Sequence, residues 1–537
     1  MEDSLVSPRF RFRYNVQLRQ DLRSRIFAIL QRKFYSTDAA TLQAKLRTFS
    51  YHLEAKLVTL AKSEEEYSNL RDLEVRLHYI FKELKDRCSC GINALPDSLI
   101  SQILLWLPTK DSAKTSVLST RWRNMWLDVP GLDFDFTSIT PPSSKAAAIN
   151  NVIERLMESR LQTLKMKYDD SNVYLFGISN LITTVINRGV EHLDLESGRC
   201  WNITKDFTPL DLYKRRTLPL DIYKSKTLVS LKLGEVELVN PGFVVSLPCL
   251  KLMQLENVMC SNGDPLILEK LILGCPVLED LTVGWGFGHN LPFLRVRSQT
   301  LKRFCVTSPH CATAKGVEID APGLKYMNFR NDLTDRVVVK NLKSLFMIDI
   351  DARFHLNTMK ERVISDFLGG ISGVRHMIIS QPTLEVLHPY FKLGQVSKFR
   401  NLSRLEASFC NLLLQVLPDF LQSFPNLKHL TLYLVRVKDQ EPENLKLTIV
   451  PRCLLSTLEC VEIKEETGMK RARNGKKHQK KIRMEAVRYI LENSLVLKKL
   501  VLCFSPVTIK VSEISKALDT FRKRSPKCEI LICWTSL

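Results

Sequence analysis

LVSLKL (228–233), LKLMQL (250–255), LEDLTV (278–283), LKRFCV (301–306) and LKYMNF (324–329) share one pattern, with apolar residues at positions 1, 4 and 6. The pattern returns in VEHLDL from Val190, LKSLFM from Leu342, LKHLTL from Leu427, LECVEI from Leu458 and LKKLVL from Leu497. Weaker copies begin at Leu384 and Leu402. Positions 4 and 6 alternate as in a strand with one buried face. From Leu228 to Leu342 the steps are 22, 28, 23, 23 and 18 residues, which straddles the repeat period of about 20–29. One short strand cannot bury its apolar face alone, whereas stacked copies build a continuous core. Intervening segments such as LILEKLILGCP (266–276) read as helices or turns on the other side. The asparagine ladder usual in such repeats is mostly missing, so the spacing predicts an irregular α/β solenoid over residues 190–449.

The flanking sequence changes character. In the N-terminal extension, residues 1–88, the first 14 show no helical period, and from Val16 one appears: Leu18, Leu22, Ile26 and Leu30, then Leu42, Leu46, Leu53 and Leu57, then Tyr67, Leu70, Leu73, Leu77 and Ile80. Ser63 and Glu66 stand in capping-box register for the third segment. Three amphipathic helices predict a small bundle.

Residues 92–135, INALPDSLISQILLWLPTKDSAKTSVLSTRWRNMWLDVPGLDFD, are unusually apolar for their length. Pro96 suits a helix start. Leu99, Ile100, Ile103, Leu104 and Leu107 make one face, which Leu105 and Trp106 widen past a single stripe. A second short helix starts at Thr109 or Asp111, and a third is expected after Ser119. Some forty residues cannot bury so many large side chains internally. They must face the rest of the chain or another protein.

The 537 residues are 45% hydrophobic and 25% charged, an ordinary balance for a folded chain. No apolar run reaches the ~18 residues of a membrane span, and the N-terminus lacks a secretory signal. The 14 cysteines form no CxxC pair and no zinc spacing with histidine. They read as reduced thiols, with no metal site. Nucleotide, zinc-protease and hydrolase motifs are absent, so neither catalytic residues nor a cofactor is expected. Net charge is +21, and eight of those charges lie in KRARNGKKHQKKIR, Lys470–Arg483. That run reads as a solvated loop, a nuclear-localisation signal or a nonspecific phosphate contact with nucleic acid. The expected location is nucleus, cytoplasm or both.

Residues 92–135 resemble the F-box of plant F-box proteins. The resemblance rests on Leu95-Pro96-Asp97, Ile100, Ile103-Leu104, Leu107-Pro108, Lys110-Asp111, Ser116–Ser119, Arg121-Trp122-Arg123 and Trp126. It implies a three-helix hook bound to a Skp-type adaptor and, through it, to cullin and RING subunits. Leu95, Pro96, Ile100, Ile103, Leu107, Pro108, Val117, Leu118 and Trp122 are the implied adaptor-contact candidates, some of which belong to the hook's own core. Residues 136–189 are a connector with the first helical and strand elements. Residues 450–537 resemble the FBD module, on VPRCLLSTLE (450–459) and EAVRYILENSLVLKKL (485–500), with the basic run inserted between the two blocks.

The resemblance implies a non-catalytic substrate receptor of an SCF-type ubiquitin ligase, whose repeats bind a client protein. Outward strand positions Lys232, Gln254, Thr282 and Asn328 are the client-contact candidates. RSRIFAIL (23–30) and HLEAKLVTLAKSEEEYSNL (52–70) faintly resemble the KIX domain of transcriptional coactivators. That likeness implies the alternative, a transcription-linked interaction scaffold using the N-terminal bundle.

Overall fold

A computed structural model describes residues 16–33, separate positions within 46–80, 95–138, 144, 149, 154, 161–168, 175–197, 218–260, 266–284, 293–307, 316–333, 337–354, 361–392, 398–435, 447–465, 476–504 and 511–534. The chain divides into two compact units, Met1–Ile103 with Thr115–Met125, and Leu104–Lys114 with Trp126–Leu537.

The first unit opens with helix α1 (Val16–Lys33). Its Leu22, Ile26 and Leu30 pack with Leu46, Leu53, Leu57, Tyr67, Leu73, Leu77 and Ile80 in a core of their own. These are the apolar positions that the helical period selects. Glu54 is fully buried among them. Most of the KIX-like stretch 52–70 lies outside the described residues, as does residues 1–15 of the expected extension.

The second unit is built on one 15-stranded parallel sheet whose strands run in chain order. They are β1 (Gly131–Asp135), β2 (Thr163–Tyr168), β3 (His192–Ser197), β4 (Ser230–Gly234), β5 (Leu252–Glu256), β6 (Asp280–Gly284), β7 (Arg303–Thr307) and β8 (Tyr326–Leu333). They continue as β9 (Met347–Phe354), β10 (His376–Ile379), β11 (Arg404–Cys410), β12 (His429–Val435), β13 (Cys460–Glu465), β14 (Lys499–Phe504) and β15 (Glu529–Trp534). Positions 4 and 6 of the copies point inward and form one core, for example Leu231, Leu233, Met253, Leu255, Phe304 and Val306. Position 1, such as Leu228 or Leu301, is fully buried beside it.

Where the missing asparagine ladder would run, three copies carry threonine hydroxyl bonds instead. Thr227, Thr300 and Thr457 each precede a position-1 residue. Their Oγ1 atoms donate to the position-1 carbonyl of the preceding copy, at Val190 (2.9 Å), Leu278 (2.9 Å) and Leu427 (2.8 Å). Each bond satisfies a buried carbonyl that the turn leaves open. Asn257, with positive φ, sits in the turn after β5 and donates through Nδ2 to Glu235 at 2.8 Å.

Three expectations change. The copy read from Leu342 begins instead at Leu345, because Ile348 and Ile350 are the buried strand residues while Met347 is not. The copy read from Leu384 is not a strand; Leu384 lies in a helix, Gln381–Lys392. The true copy there is VRHMII, with Val374, Met377 and Ile379 buried. The third F-box helix is a turn followed by a 3-10 helix, Met125–Leu127, rather than an α-helix. As the copies from Leu458 and Leu497 imply, the sheet extends beyond residues 190–449. It starts at Gly131, inside the F-box stretch, and runs through the FBD residues to β15.

The basic run also changes. Residues 476–483 form the start of a helix, Lys476–Asn493. Its last member, Arg483, is buried and ion-paired with buried Glu465 at 2.6 Å. Residues 470–475 lie outside the described residues.

Candidate interaction surfaces

The F-box stretch builds helix α2 (Asp97–Leu105) and helix α3 (Thr109–Lys114). The carbonyl of Pro96 accepts from Leu99 N (3.0 Å) and Ile100 N (3.1 Å), so Leu95-Pro96 opens the first turn of α2. The guanidinium of Arg121 donates to the Leu95 carbonyl at 2.6 Å and to the Asp97 carboxylate. That clamp explains why the Arg121-Trp122 and Leu95-Pro96-Asp97 elements occur together. Pro108 starts α3 in the same way, its carbonyl accepting from Asp111 N (2.8 Å) and Ser112 N (2.9 Å). Ser112 Oγ donates back to the Leu104 carbonyl at 2.8 Å, which fixes the sharp turn at Leu107-Pro108.

The structure sorts the adaptor candidates by exposure. Ile100 and Trp122 are buried. Leu95, Leu107 and Pro108 are half-buried, and Pro96 is exposed. Ile103, Val117 and Leu118 are open to solvent, Val117 at 85%. Leu99 shares the face of Ile103, four residues away on α2. Leu99, Leu105, Trp106 and Leu127 are also exposed, though less than Val117, and are not among the candidates. The signal for two of them was present: Leu105 and Trp106 widen the helix past the stripe that one core can cover.

The four client candidates fall on one line. Register pairs Lys232 with Gln254, Gln254 with Thr282, Thr282 with Cys305 and Cys305 with Asn328. The line extends from Asp133, Lys165 and Asp194 at one end to Asp349, Ile378, Glu406, Thr431, Glu462, Val501 and Leu531 at the other. Sequence reasoning found single positions, because spacing in the chain does not reveal which strands are in register.

The chemistry changes along that line. Its first strands neutralise themselves: Lys165 reaches Asp133 at 3.5 Å and Lys167 reaches Glu196 at 2.8 Å. Burial raises the Asp194 carboxyl against the pull of Lys232 and Lys165. The middle carries fixed hydrogen bonds. Asn328 Nδ2 donates to Asp349 at 2.8 Å, and Arg330 meets the same carboxylate at 3.3 Å. Two strands on, Glu406 is held by His376 Nε2 at 3.1 Å, Arg404 at 3.3 Å and Tyr433 Oη at 3.2 Å. The His376 hydrogen bond, with Arg404 and Tyr433 outweighing burial, pulls the Glu406 carboxyl down to about 2. The last strands are nearly apolar, with Val501 and Leu531 beside Cys503 and Cys533.

Among the described residues, no helix is long and apolar enough to cross a membrane, and no three His, Cys, Asp or Glu side chains gather as a metal site. His192 and His429 are exposed on strand faces.

A hook of short helices ahead of a parallel, repeat-built sheet defines an F-box protein with leucine-rich repeats. Family models agree: the F-box domain matches residues 92–133, the LRR repeats of FBD-associated F-box protein At5g56370 match 179–350, and FBD matches 447–502. The chain belongs to the plant F-box/FBD/LRR-repeat protein family. It is 47% identical to the putative F-box/FBD/LRR-repeat protein At5g44950 of Arabidopsis thaliana, over 82% of this chain and 99% of the relative. It is 44% identical to the Arabidopsis thaliana F-box/FBD/LRR-repeat protein At2g26030, over 82% of this chain and 98% of the relative.

Proposed function

We propose that this chain is the substrate-recognition subunit of an SCF-type cullin–RING ubiquitin ligase. On this reading the F-box docks a Skp-type adaptor and the outward face of the sheet holds a client protein. The observation that carries it is the solvent-exposed apolar set Leu99, Ile103, Val117 and Leu118. Large aliphatic side chains left open on a motif with its own buried anchors, Ile100 and Trp122, fit a protein partner rather than a core. The receptor performs no chemistry itself. It raises the effective concentration of a client lysine near a ubiquitin-charged conjugating enzyme that the cullin assembly brings. The test is co-purification with a Skp-type adaptor, comparing wild type with Val117→Asp/Leu118→Asp. Adaptor recovery is expected to collapse in the double variant while its circular dichroism stays unchanged. Equal recovery would sink the reading.

A second reading concerns the first unit, which has its own buried core. It would serve as a docking module for an amphipathic acidic helix in a transcription-linked scaffold. Fluorescence anisotropy of such a peptide with the full chain, and with a chain starting at residue 92, tests it. Indistinguishable binding by the two forms removes this role. Nuclear placement through Lys470–Arg483 is a proposal of the same kind, tested by imaging a tagged chain with the run's lysines changed to glutamine.

A further inference from the structure

We propose that Cys503 and Cys533 form a reversible intramolecular disulfide that pins the last strand of the sheet. The two residues are register partners on β14 and β15. Among the described residues no other two cysteines face each other this way: Cys305 lies opposite Thr282 and Asn328, Cys410 opposite Val435, and Cys460 opposite His429 and Lys499. Both thiols are free, Cys533 is exposed and Cys503 is half-buried. Parallel neighbours stand about 4.8 Å apart, inside the ~4.4–6.8 Å Cα window that a disulfide accepts. Burial, together with Cys533 beside it, raises the Cys503 thiol to about 11.

The position favours closure. Among the described residues, β15 ends the sheet and pairs only with β14. Ile530 and Ile532 on its inner face pack against the core and hold the register, while the open edge leaves room for the small approach of Cβ atoms that the bond requires. Glutathione disulfide serves as oxidant. The exposed Cys533 thiolate attacks one of its sulfurs and expels a glutathione thiolate. Cys503 then gives up its proton and attacks the Cys533 sulfur, expelling the second. Two protein thiols lose two electrons and two protons, and one glutathione disulfide becomes two glutathione molecules. The closed loop contains the helix Val511–Thr520, so the bond restricts this terminal helix as well as the strand.

The experiment incubates the full chain in glutathione buffers of increasing disulfide fraction. Remaining thiols are then trapped with an alkylating agent and the peptides mapped by mass spectrometry. A cross-linked Cys503–Cys533 peptide is expected, lost on treatment with dithiothreitol. In Cys503→Ser the same conditions should leave Cys533 as a glutathione adduct, because the resolving thiol is gone. Amide exchange in β15 should slow on oxidation of wild type and not of Cys503→Ser. Three results would overturn the proposal: alkylation of both wild-type thiols at every ratio, a wild-type Cys533 adduct as abundant as in Cys503→Ser, or a cross-link between chains. Unchanged exchange in an oxidised wild type would overturn the pinning.

Discussion

Two buried glutamates show how single residues set the stability of each unit. Glu54 accepts from Arg19 Nε (2.7 Å) and Tyr67 Oη (2.6 Å) at Oε1, and from Arg19 Nη2 and Arg23 Nε (both 3.0 Å) at Oε2. Burial raises its carboxyl, and these hydrogen bonds more than reverse that, leaving it below the usual range. Breaking such a set around a fully buried carboxylate costs up to about 3–5 kcal/mol, less here because Arg19 and Arg23 are partly open to solvent. Glu54→Leu is therefore expected to melt the first unit well before the second in a calorimetric scan. A single unshifted transition would refute this.

Arg483 and Glu465 make the same argument in the second unit, and Arg483→Ala should lower its Tm by removing the buried ion pair. Glu406 adds a pH dependence. Its folded value of about 2 lies below that of an ordinary glutamate, so its contribution is full above the unfolded value. It disappears as pH falls from about 4.5 toward 2, and amounts to on the order of 3 kcal/mol. Thermal melts between pH 5 and 3 should therefore fall more steeply for wild type than for Glu406→Gln. Parallel slopes would contradict the assignment.

At the scale of elements, the F-box was legible in outline and ambiguous in detail. Helix starts followed from Pro96 and Thr109, but the stretch after Ser119 is turn and 3-10 helix. There the tertiary role of Trp122, buried to 1% exposure, overrides the helical spacing of Trp122, Met125 and Trp126. Periodicity also could not separate anchors from contacts, since Ile100 and Ile103 share a helix face in sequence yet Ile100 is buried and Ile103 exposed. Trp122→Ala should cost about 3–5 kcal/mol through the cavity it opens. Trp122→Phe should cost far less, because the buried indole N–H has no hydrogen-bond partner among the described residues to lose. Chemical denaturation of both variants checks the ordering; equal losses would show that the indole N–H matters after all.

Strand copies were misread at two places for a physical reason. NLKSLFMIDI offers two overlapping apolar registers, and only burial of Ile348 and Ile350 selects one. Leu384 shows the pattern on a helix whose Leu384 and Leu387 face inward, where leucine spacing alone cannot tell three-residue from two-residue periodicity. The threonine ladder escaped notice because its residues precede the motif instead of lying inside it.

Across the second unit, repeats and FBD residues share one sheet and one core, so the terminal strands close the stack at one end. Each strand mainly contacts its neighbours. Truncation after residue 505 would remove β15 and its helix and expose one flank of Leu500, Leu502 and Phe504 on β14, all buried in the full chain. That form is expected to lose solubility and to bind a hydrophobic dye while its remaining strands persist by circular dichroism. A monomeric, dye-silent truncation would argue that β14 ends the stack adequately.

The in-register line from Asp133 to Leu531 has a further consequence, for length. Fifteen strands at roughly 4.8 Å spacing carry it ~67 Å along the sheet. A client segment laid across it in extended form advances ~3.3 Å per residue. Three client residues therefore keep pace with about two strands, and on the order of twenty residues would be needed to run from the charged end to the apolar end. The face is graduated like a ruler: sliding a segment by one strand presents every one of its side chains to a different neighbour.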